Sequence, residues 1–292
     1  MSTDGFLRNR ENFCYRHPDR QSFVLCQRCL RTICPECQTQ AAVGVICPEC
    51  LRDQQKAQSP AQVKAERRAA RPYAVAVRDT RPLATYAIIG ITTAAYILTL
   101  IPGFGGILQN QLVFLAPLMY PELSGVFQPW RLLTVTIVHA GFWHVGLNML
   151  ALWMIGRSLE PLLGRWRFVT LYLLSALGGS VAVALLAFTT PVVGASGAIF
   201  GLFGALLVIG RHIGANITGI IVVLGINLVI GFIPGNNVAW QAHVGGLVTG
   251  ALVAFIFTRT RSAARRWLQI ALLVAVGVGL LALLFVPPVF YF

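Results

Sequence analysis

Long apolar intervals separate the charged residues over the last two thirds of this 292-residue chain. Beyond residue 81, five intervals contain no Asp, Glu, Lys or Arg: 82–121, 132–156, 168–210, 212–258 and 267–292. A helix needs about 20 residues to cross a bilayer, so the intervals hold one or two, one, two, two and one spans in that order. Pro102, Gly103 and Pro117 interrupt the second half of the first interval, which predicts a partly embedded loop over about 102–131.

The arginines decide how many spans the first interval holds. Lys and Arg concentrate on the cytosolic side of membrane proteins. With a single first span and a cytosolic amino terminus, every later arginine except Arg131 falls inside. The pattern therefore predicts an all-α polytopic membrane protein with an outer carboxyl terminus and seven helices, near 82–101, 134–156, 166–188, 196–211, 214–232, 238–258 and 267–289.

Composition narrows the class of protein further. Hydrophobic residues make up 56% of the chain and charged residues 11%, whereas soluble domains carry about a quarter charged residues. A soluble enzyme and a disordered chain are both excluded. Most charged residues lie before residue 82. The chain therefore consists of two parts of different composition that join near residue 81. The first thirty residues are too polar for a signal peptide, and we expect them to stay in the cytosol.

All seven cysteines lie between Cys14 and Cys50. Together with one histidine they form four pairs, each separated by two residues: Cys14 and His17, Cys26 and Cys29, Cys34 and Cys37, Cys47 and Cys50. An odd count in such pairs argues against disulfides and favours thiolate metal ligands in a reducing compartment. Eight ligands match two tetrahedral zinc sites with closed shells. We expect both zinc ions to be structural, since about 40 residues cannot build a sufficient core alone.

The spacing leaves the pairing of these ligands open. Alternate pairing would resemble the cross-brace of B-box and other RING-like fingers, and sequential pairing is the alternative. RING-like fingers can also act as ubiquitin-ligase modules, which would require a eukaryotic setting.

Residues 53–81 form a basic linker that includes Lys64, Arg67 and Arg68. We expect it to be attracted to anionic lipid headgroups rather than to nucleic acid.

Two polar side chains in the apolar body are predicted to meet. Polar groups inside a membrane are costly and are therefore candidate functional residues. Ser196 begins the fourth predicted helix, and His243 lies in the first turns of the sixth, so both have similar depths near the outer face. Glycines at three- and four-residue spacing allow the two helices to approach closely: Gly197, Gly201, Gly204, Gly246 and Gly250. A neutral imidazole can take the proton of a serine hydroxyl and make it a nucleophile.

The second predicted helix offers further polar groups. His144 and Asn148 are four residues apart and share one helix face, where they could stabilise the oxyanion of acyl transfer together with the Ser196 amide. His139, which precedes this pair, is expected only to support the oxyanion site. No acidic residue has a matching depth, since Glu122 lies in the outer loop and Glu160 near the cytosolic face. The sequence thus predicts a dyad rather than a triad.

These motifs together resemble the rhomboid family of intramembrane serine proteases. The features that match are Gly194-Ala195-Ser196-Gly197, Ala242-His243-Val244-Gly245-Gly246, and the array of His139, His144 and Asn148 after Trp130-Arg131. The resemblance covers residues 82–260 and implies a six-helix core with Ser196 as nucleophile, His243 as general base, and His144, Asn148 and the Ser196 amide around the oxyanion. It also implies that Glu160 is a structural residue. The seventh helix resembles the extra span of the six-plus-one subclass.

The resemblance implies four segments and one principal function. The segments are a two-zinc finger domain over 1–52, the basic linker over 53–81, the rhomboid core over 82–260 and an additional helix over 261–292. The function is cleavage of single-span membrane proteins in or near their transmembrane segments, with no cofactor in catalysis. The alternative is a catalytically inactive rhomboid-like adaptor. It would bind transmembrane proteins and recruit a cytosolic partner through the two-zinc finger domain over 1–52, here called the zinc head. A secondary transporter would require internal repeats and midplane ionisable residues.

Overall fold

The structure is a computed structural model that describes residues 9–41, 44–57, 81–231 and 238–287. The chain divides into two compact units between Val77 and Arg78. Outside the described residues lie most of the predicted linker over 53–81 and residues 232–237, at the connection between the fifth and sixth predicted helices.

The first unit is a small domain built around its cysteines. Strands β1 (Thr39–Gln40) and β2 (Val45–Ile46) form an antiparallel pair, and helix α1 (Pro48–Ala57) follows. Six of the seven cysteines and Ile33 are buried and form most of its core. Such a core is too small to stabilise a domain by apolar burial alone. Helix α1 continues past residue 52, where the sequence predicts the boundary of this domain.

The regular elements described in the second unit are helices, with one isolated antiparallel bridge between Phe114 and Val192. Its helices are α2 (Leu83–Thr99), α3 (Phe104–Leu112), α4 (Pro121–Ser124), α5 (Arg131–Thr134), α6 (Phe142–Leu163), α7 (Arg165–Leu186), α8 (Ser196–His212), α9 (Thr218–Gly231), α10 (Trp240–Arg259) and α11 (Arg266–Leu283). Helices α6, α7, α8 and α10 supply most of the buried apolar cluster. Helices α2 and α11 each pack one side against it. Short helices α3 and α4 lie in the predicted outer loop, and α5 begins at its last residue.

Apolar helices of spanning length are present in the second unit. Among the described residues, Arg165–Leu186, Trp240–Arg259 and Ala263–Leu283 are long and apolar enough to cross a membrane. The pair formed by Arg131–Ile137 and Phe142–Leu163 would add a fourth span if it is one segment, although it bends by 97°. The apolar helices α2, α8 and α9 are shorter. A membrane helix bundle is therefore present, and the count of seven spans stays a prediction.

The second predicted span has different ends in the structure. The sequence predicts a helix over 134–156, but the chain leaves the helical conformation after Ile137 and α6 runs over Phe142–Leu163. Val138 and Gly141 are extended, with Gly141 at φ 173° and ψ 173°. The helix continues past Arg157, whose guanidinium lies 4.7 Å from the centre of the Trp153 ring. The prediction of these helix ends from charge was wrong.

Buried polar contacts attach helices α2 and α11 to the rest of the bundle. The Glu160 carboxylate accepts hydrogen bonds from the backbone N–H groups of Ala84 and Thr85, at 2.9 and 2.8 Å, and from the Thr85 hydroxyl. It thereby caps the amino terminus of α2, which has unsatisfied N–H donors. At the far end of α11, the Tyr120 hydroxyl donates to the carbonyl oxygen of Leu284 at 2.6 Å.

Candidate active site and metal sites

Ser196 and His243 lie in contact between two helices. Ser196 is the first residue of α8, and His243 is in the first turn of α10. The distance from Ser196 Oγ to His243 Nε2 is 2.9 Å. The predicted close packing of glycines on these helices is confirmed, since a Cβ added to Gly246 would lie 1.9 Å from the Gly197 carbonyl oxygen. With its proton on Nδ1, the imidazole accepts a hydrogen bond from the serine hydroxyl.

The segment before Ser196 brings His144 close to the serine. Gly194 has φ +118°, a conformation that favours glycine. A Cβ at Gly194 would lie 2.7 Å from His144 Nε2, so a side chain at this position would also collide with the imidazole. The Ala140 N–H donates to His144 Nδ1 at 3.4 Å, which leaves the proton of a neutral ring on Nε2. His144 thus presents an N–H donor to the backbone that carries Ser196.

His139 and Asn148 have other contacts. His139 is buried just before α6, and its Nε2 accepts a hydrogen bond from the Ala195 N–H at 3.3 Å. It therefore fixes the backbone next to Ser196. The buried Asn148 donates from Nδ2 to the His144 carbonyl oxygen at 2.8 Å. One amide hydrogen of Asn148 is thus used within α6, and the structure joins this side chain to the backbone of His144 rather than to Ser196.

An aromatic ring that sequence reasoning missed supports His243. The ring of Phe200 stacks on the imidazole, with centroids 4.1 Å apart and planes inclined by 7°. Phe200 is one helical turn after Ser196 on α8, so Ser196 and the stacking ring share a helix face. The four-residue spacing was the available signal, but an apolar helix contains many such aromatic residues. Among the described residues, His243 Nδ1 has no hydrogen-bond partner, so the stack holds the ring where a triad would use a carboxylate.

A cavity of about 20 Å³, roughly the space of one water molecule, adjoins Ser196. Small residues from three helices line much of it, including Ala176, Gly179, Gly197 and Ala242. The Ser180 hydroxyl also lies at this cavity and donates to the Leu132 carbonyl oxygen at 2.8 Å. The cavity has room for about one water molecule beside the Ser196 hydroxyl, and the serine–imidazole pair is suited to acyl transfer.

The eight predicted metal ligands form two groups in the first unit. One group contains Cys14, His17, Cys34 and Cys37, and the other Cys26, Cys29, Cys47 and Cys50. Within each group all ligand atoms lie within 4.8 Å of one another. His17 uses Nδ1, which lies 3.3 Å from Cys34 Sγ. Tetrahedral Zn²⁺ with bonds of about 2.3 Å needs donors roughly 3.8 Å apart, so both groups fit zinc and have the alternate pairing.

The donor chemistry of the second group also fits a cation. Burial by itself raises the pKa of the Cys26 thiol, but backbone N–H groups of Cys29, Arg28 and Cys47 lower that pKa to about 6. Burial and the neighbouring thiols raise the pKa of Cys50 to about 12. Four thiolates cannot all ionise side by side unless a positive charge balances them. A divalent metal supplies that charge.

Comparison with known proteins agrees with this geometry. Residues 126–260 match the model of the rhomboid domain. The chain is 35% identical over 220 residues to rhomboid protease GluP of Bacillus subtilis, which covers 71% of this chain and 42% of that protein. It is 40% identical over 136 residues to RHOMBOID-like protein 1 of Arabidopsis thaliana, covering 44% and 34%. Rhomboid protein 1 of Saccharomyces cerevisiae mitochondria is 30% identical over 210 residues, covering 62% and 58%.

These matches support the rhomboid family, whose members include proteases and inactive proteins. The chain spans only 42% and 34% of the length of the first two relatives. The matched domain contains Ser196, His243 and the three polar residues His139, His144 and Asn148. The metal ligands lie outside it.

Proposed function

We propose that this rhomboid-like chain is an intramembrane serine endopeptidase that hydrolyses peptide bonds in or near transmembrane segments of single-span membrane proteins. The observation that carries the proposal is the 2.9 Å contact between Ser196 Oγ and His243 Nε2. Two glycine-lined helices hold this contact, and a cavity opens beside it. The named relative GluP is a rhomboid protease, which supports the same chemistry.

In this mechanism His243 acts as the general base. Its Nε2 takes the proton of Ser196 as Oγ attacks the carbonyl carbon of the scissile bond, and it then gives this proton to the leaving amine. Water hydrolyses the resulting acyl-enzyme by the same route. His144 Nε2–H, the Ser196 amide and, after release from its helix contact, Asn148 stabilise the tetrahedral oxyanion. The Ser196 N–H is available because the first turn of a helix leaves its donors without intrahelical acceptors.

Labelling of the full-length protein with a fluorophosphonate probe tests the nucleophile. We expect wild type to label and Ser196→Ala not to label, while His243→Ala labels at least about 10³-fold more slowly because the base is missing. Ser180→Ala is the matched control, since this serine lines the same cavity but bonds to backbone. Equal labelling of Ser196→Ala and wild type would reject the proposal. A wild type that does not label would favour the adaptor function.

The remaining features of the proposal concern the zinc head and the membrane topology. We propose two structural zinc ions in a finger domain over 1–52, a basic linker over 53–81, the catalytic core over 82–260 and the additional helix over 261–292. The arginines at the α6–α7 and α10–α11 connections support a cytosolic amino terminus and an outer carboxyl terminus. The partners would be transmembrane substrates, membrane lipid and a cytosolic protein that binds the zinc head.

A further inference from the structure

Six arginines gather where three helices end together. This group, here called the arginine cluster, comprises Arg165 and Arg167 at the start of α7, Arg259 at the end of α10, and Arg261, Arg265 and Arg266 before and at the start of α11. Five of them are exposed, and Arg167 is half-buried. A cluster of this kind is a strongly positive surface at one end of the bundle.

A buried polar contact holds the three helix ends of the cluster together. The Gln269 side chain is fully buried, and its Nε2 donates to the Thr260 carbonyl oxygen at 3.2 Å. Arg167 Nε donates to Gln269 Oε1 at 3.0 Å. In the same turn, Arg265 Nη1 donates to the Arg259 carbonyl oxygen at 3.0 Å. These contacts fix Arg167, Arg259 and Arg265 close to one another.

Acidic residues are few in the helical part of the chain. Between residues 82 and 292 the sequence contains two acidic residues, Glu122 and Glu160. Glu160 is buried and accepts hydrogen bonds at the start of α2. Glu122 is in α4, close in sequence to Tyr120, which bonds to the opposite end of α11 about 27 Å away at 1.5 Å per residue. Glu160 is thus engaged at the amino terminus of α2, and Glu122 lies toward the opposite end of the helices.

We propose that the arginine cluster binds the headgroup of an anionic phospholipid. Guanidinium groups match phosphate oxygens in paired hydrogen bonds, and basic pockets between membrane helices recognise anionic headgroups. Trp166 and Trp267 lie beside the arginines and are 47% and 80% exposed, as expected for aromatic residues at a membrane interface. The site is at the end of α10 opposite His243, about 24 Å away, so it is independent of the proposed peptidase.

General attraction of arginines to a negative membrane surface is the competing explanation. Arg157 and Arg211 are also exposed and lie toward the same ends of α6 and α8, but outside the cluster. A bound headgroup requires the cluster itself, whereas general attraction depends only on the number of charges. The double variants Arg261→Gln/Arg266→Gln and Arg157→Gln/Arg211→Gln remove equal charge from the two locations.

The test measures lipid binding to the purified full-length, zinc-loaded protein by native mass spectrometry. Phosphatidylglycerol and phosphatidylcholine with the same acyl chains are titrated separately. We expect wild type to retain phosphatidylglycerol preferentially, with about tenfold or more weaker affinity in Arg261→Gln/Arg266→Gln and a change within about twofold in Arg157→Gln/Arg211→Gln. Arg261→Lys/Arg266→Lys keeps the charge but loses the guanidinium fork, and we expect an intermediate affinity.

Three results would overturn the proposal. Equal losses in the two glutamine variants would show attraction by net charge alone, and equal binding of the two lipids would show no headgroup recognition. Displacement of phosphatidylglycerol by millimolar inorganic phosphate would identify a site for a soluble anion instead. If the Arg261→Gln/Arg266→Gln protein does not fold, the lysine variant decides, because wild-type affinity in that variant would exclude recognition by paired guanidinium contacts.

Discussion

The His243 ring owes its orientation to a stack with Phe200. The rings are parallel within 7° at a centroid distance of 4.1 Å, and the imidazole Nδ1 has no partner among the described residues. In a triad a carboxylate would hold that nitrogen. Here the flat contact restricts rotation of the ring, and one of its edges then presents Nε2 to Ser196.

Replacing Phe200 tests this role at the scale of one residue. We expect Phe200→Leu to slow fluorophosphonate labelling of Ser196 by about 2- to 10-fold, since aromatic pairs contribute roughly 0.5–1.5 kcal/mol beyond their burial. Phe200→Tyr should label at close to the wild-type rate because it keeps the ring. Phe203→Leu is the matched control, since its ring lies edge-on to Phe200 on the same helix. A labelling rate in Phe200→Leu equal to that of Phe203→Leu would contradict the role.

The sequence predicts some of these residues and not others. Ser196 and His243 are polar groups in apolar segments. Such groups are rare, so the sequence identifies them as candidate functional residues. The glycine spacing around them also indicates that the two helices can approach. Phe200 is apolar in an apolar helix, so its contact with His243 has no distinguishing signal in the chain. The hydrogen bond from the Ala195 N–H to His139 depends on a tertiary contact between residues 56 positions apart.

At the scale of elements, helices α8 and α10 leave no room for side chains where they cross each other. A Cβ on Gly246 would lie 1.9 Å from the Gly197 carbonyl oxygen, and one on Gly250 would lie 2.0 Å from that of Gly201. Backbone oxygens cannot move without moving their helix. Close approach of these backbones is therefore a condition for the 2.9 Å contact between Ser196 and His243.

Adding one methyl group at this crossing should separate the helices. We expect Gly246→Ala to lower stability by at least about 2 kcal/mol through overpacking and to reduce labelling of Ser196 together with it. Gly225→Ala on α9 is the control, because a Cβ there meets no atom within 4 Å and alanine favours a helix. Thermal unfolding in detergent gives the comparison. Equal unfolding temperatures for the two variants would refute the packing argument.

The break before α6 shows why element boundaries were harder to predict than elements. Residues 134–156 read as one apolar segment, so hydropathy predicts one helix. The chain instead uses Val138 to Gly141 to turn His139 toward Ala195, and the helix then continues past Arg157 to Leu163. Glu160 remains within α6 because hydrogen bonds from the α2 backbone satisfy its carboxylate. Hydropathy averages over a window and contains no information about such contacts.

At the scale of the whole molecule, the chain combines two units with different sources of stability. Apolar helix packing stabilises the second unit, whereas the first has a core made largely of cysteine ligands. Spacing alone left the pairing of those ligands open. The structure groups Cys14, His17, Cys34 and Cys37 apart from the other four ligands. We therefore expect the fold of the head to depend on metal and the fold of the helical unit to be independent of it.

Metal analysis of three full-length variants tests the pairing and the independence of the units. We expect about two zinc ions per wild-type chain. Cys14→Ser/Cys34→Ser damages one site and should retain about one zinc, whereas Cys14→Ser/Cys26→Ser damages both and should retain none, because a tetrahedral site needs all four donors. Sequential pairing predicts the reverse order. Tyr15→Phe, next to a ligand but without a donor role, should keep both ions.

The same three variants test whether the helical unit folds without the head. We expect Ser196 to be labelled at the wild-type rate in all three. Parallel loss of zinc and of labelling would disprove that independence.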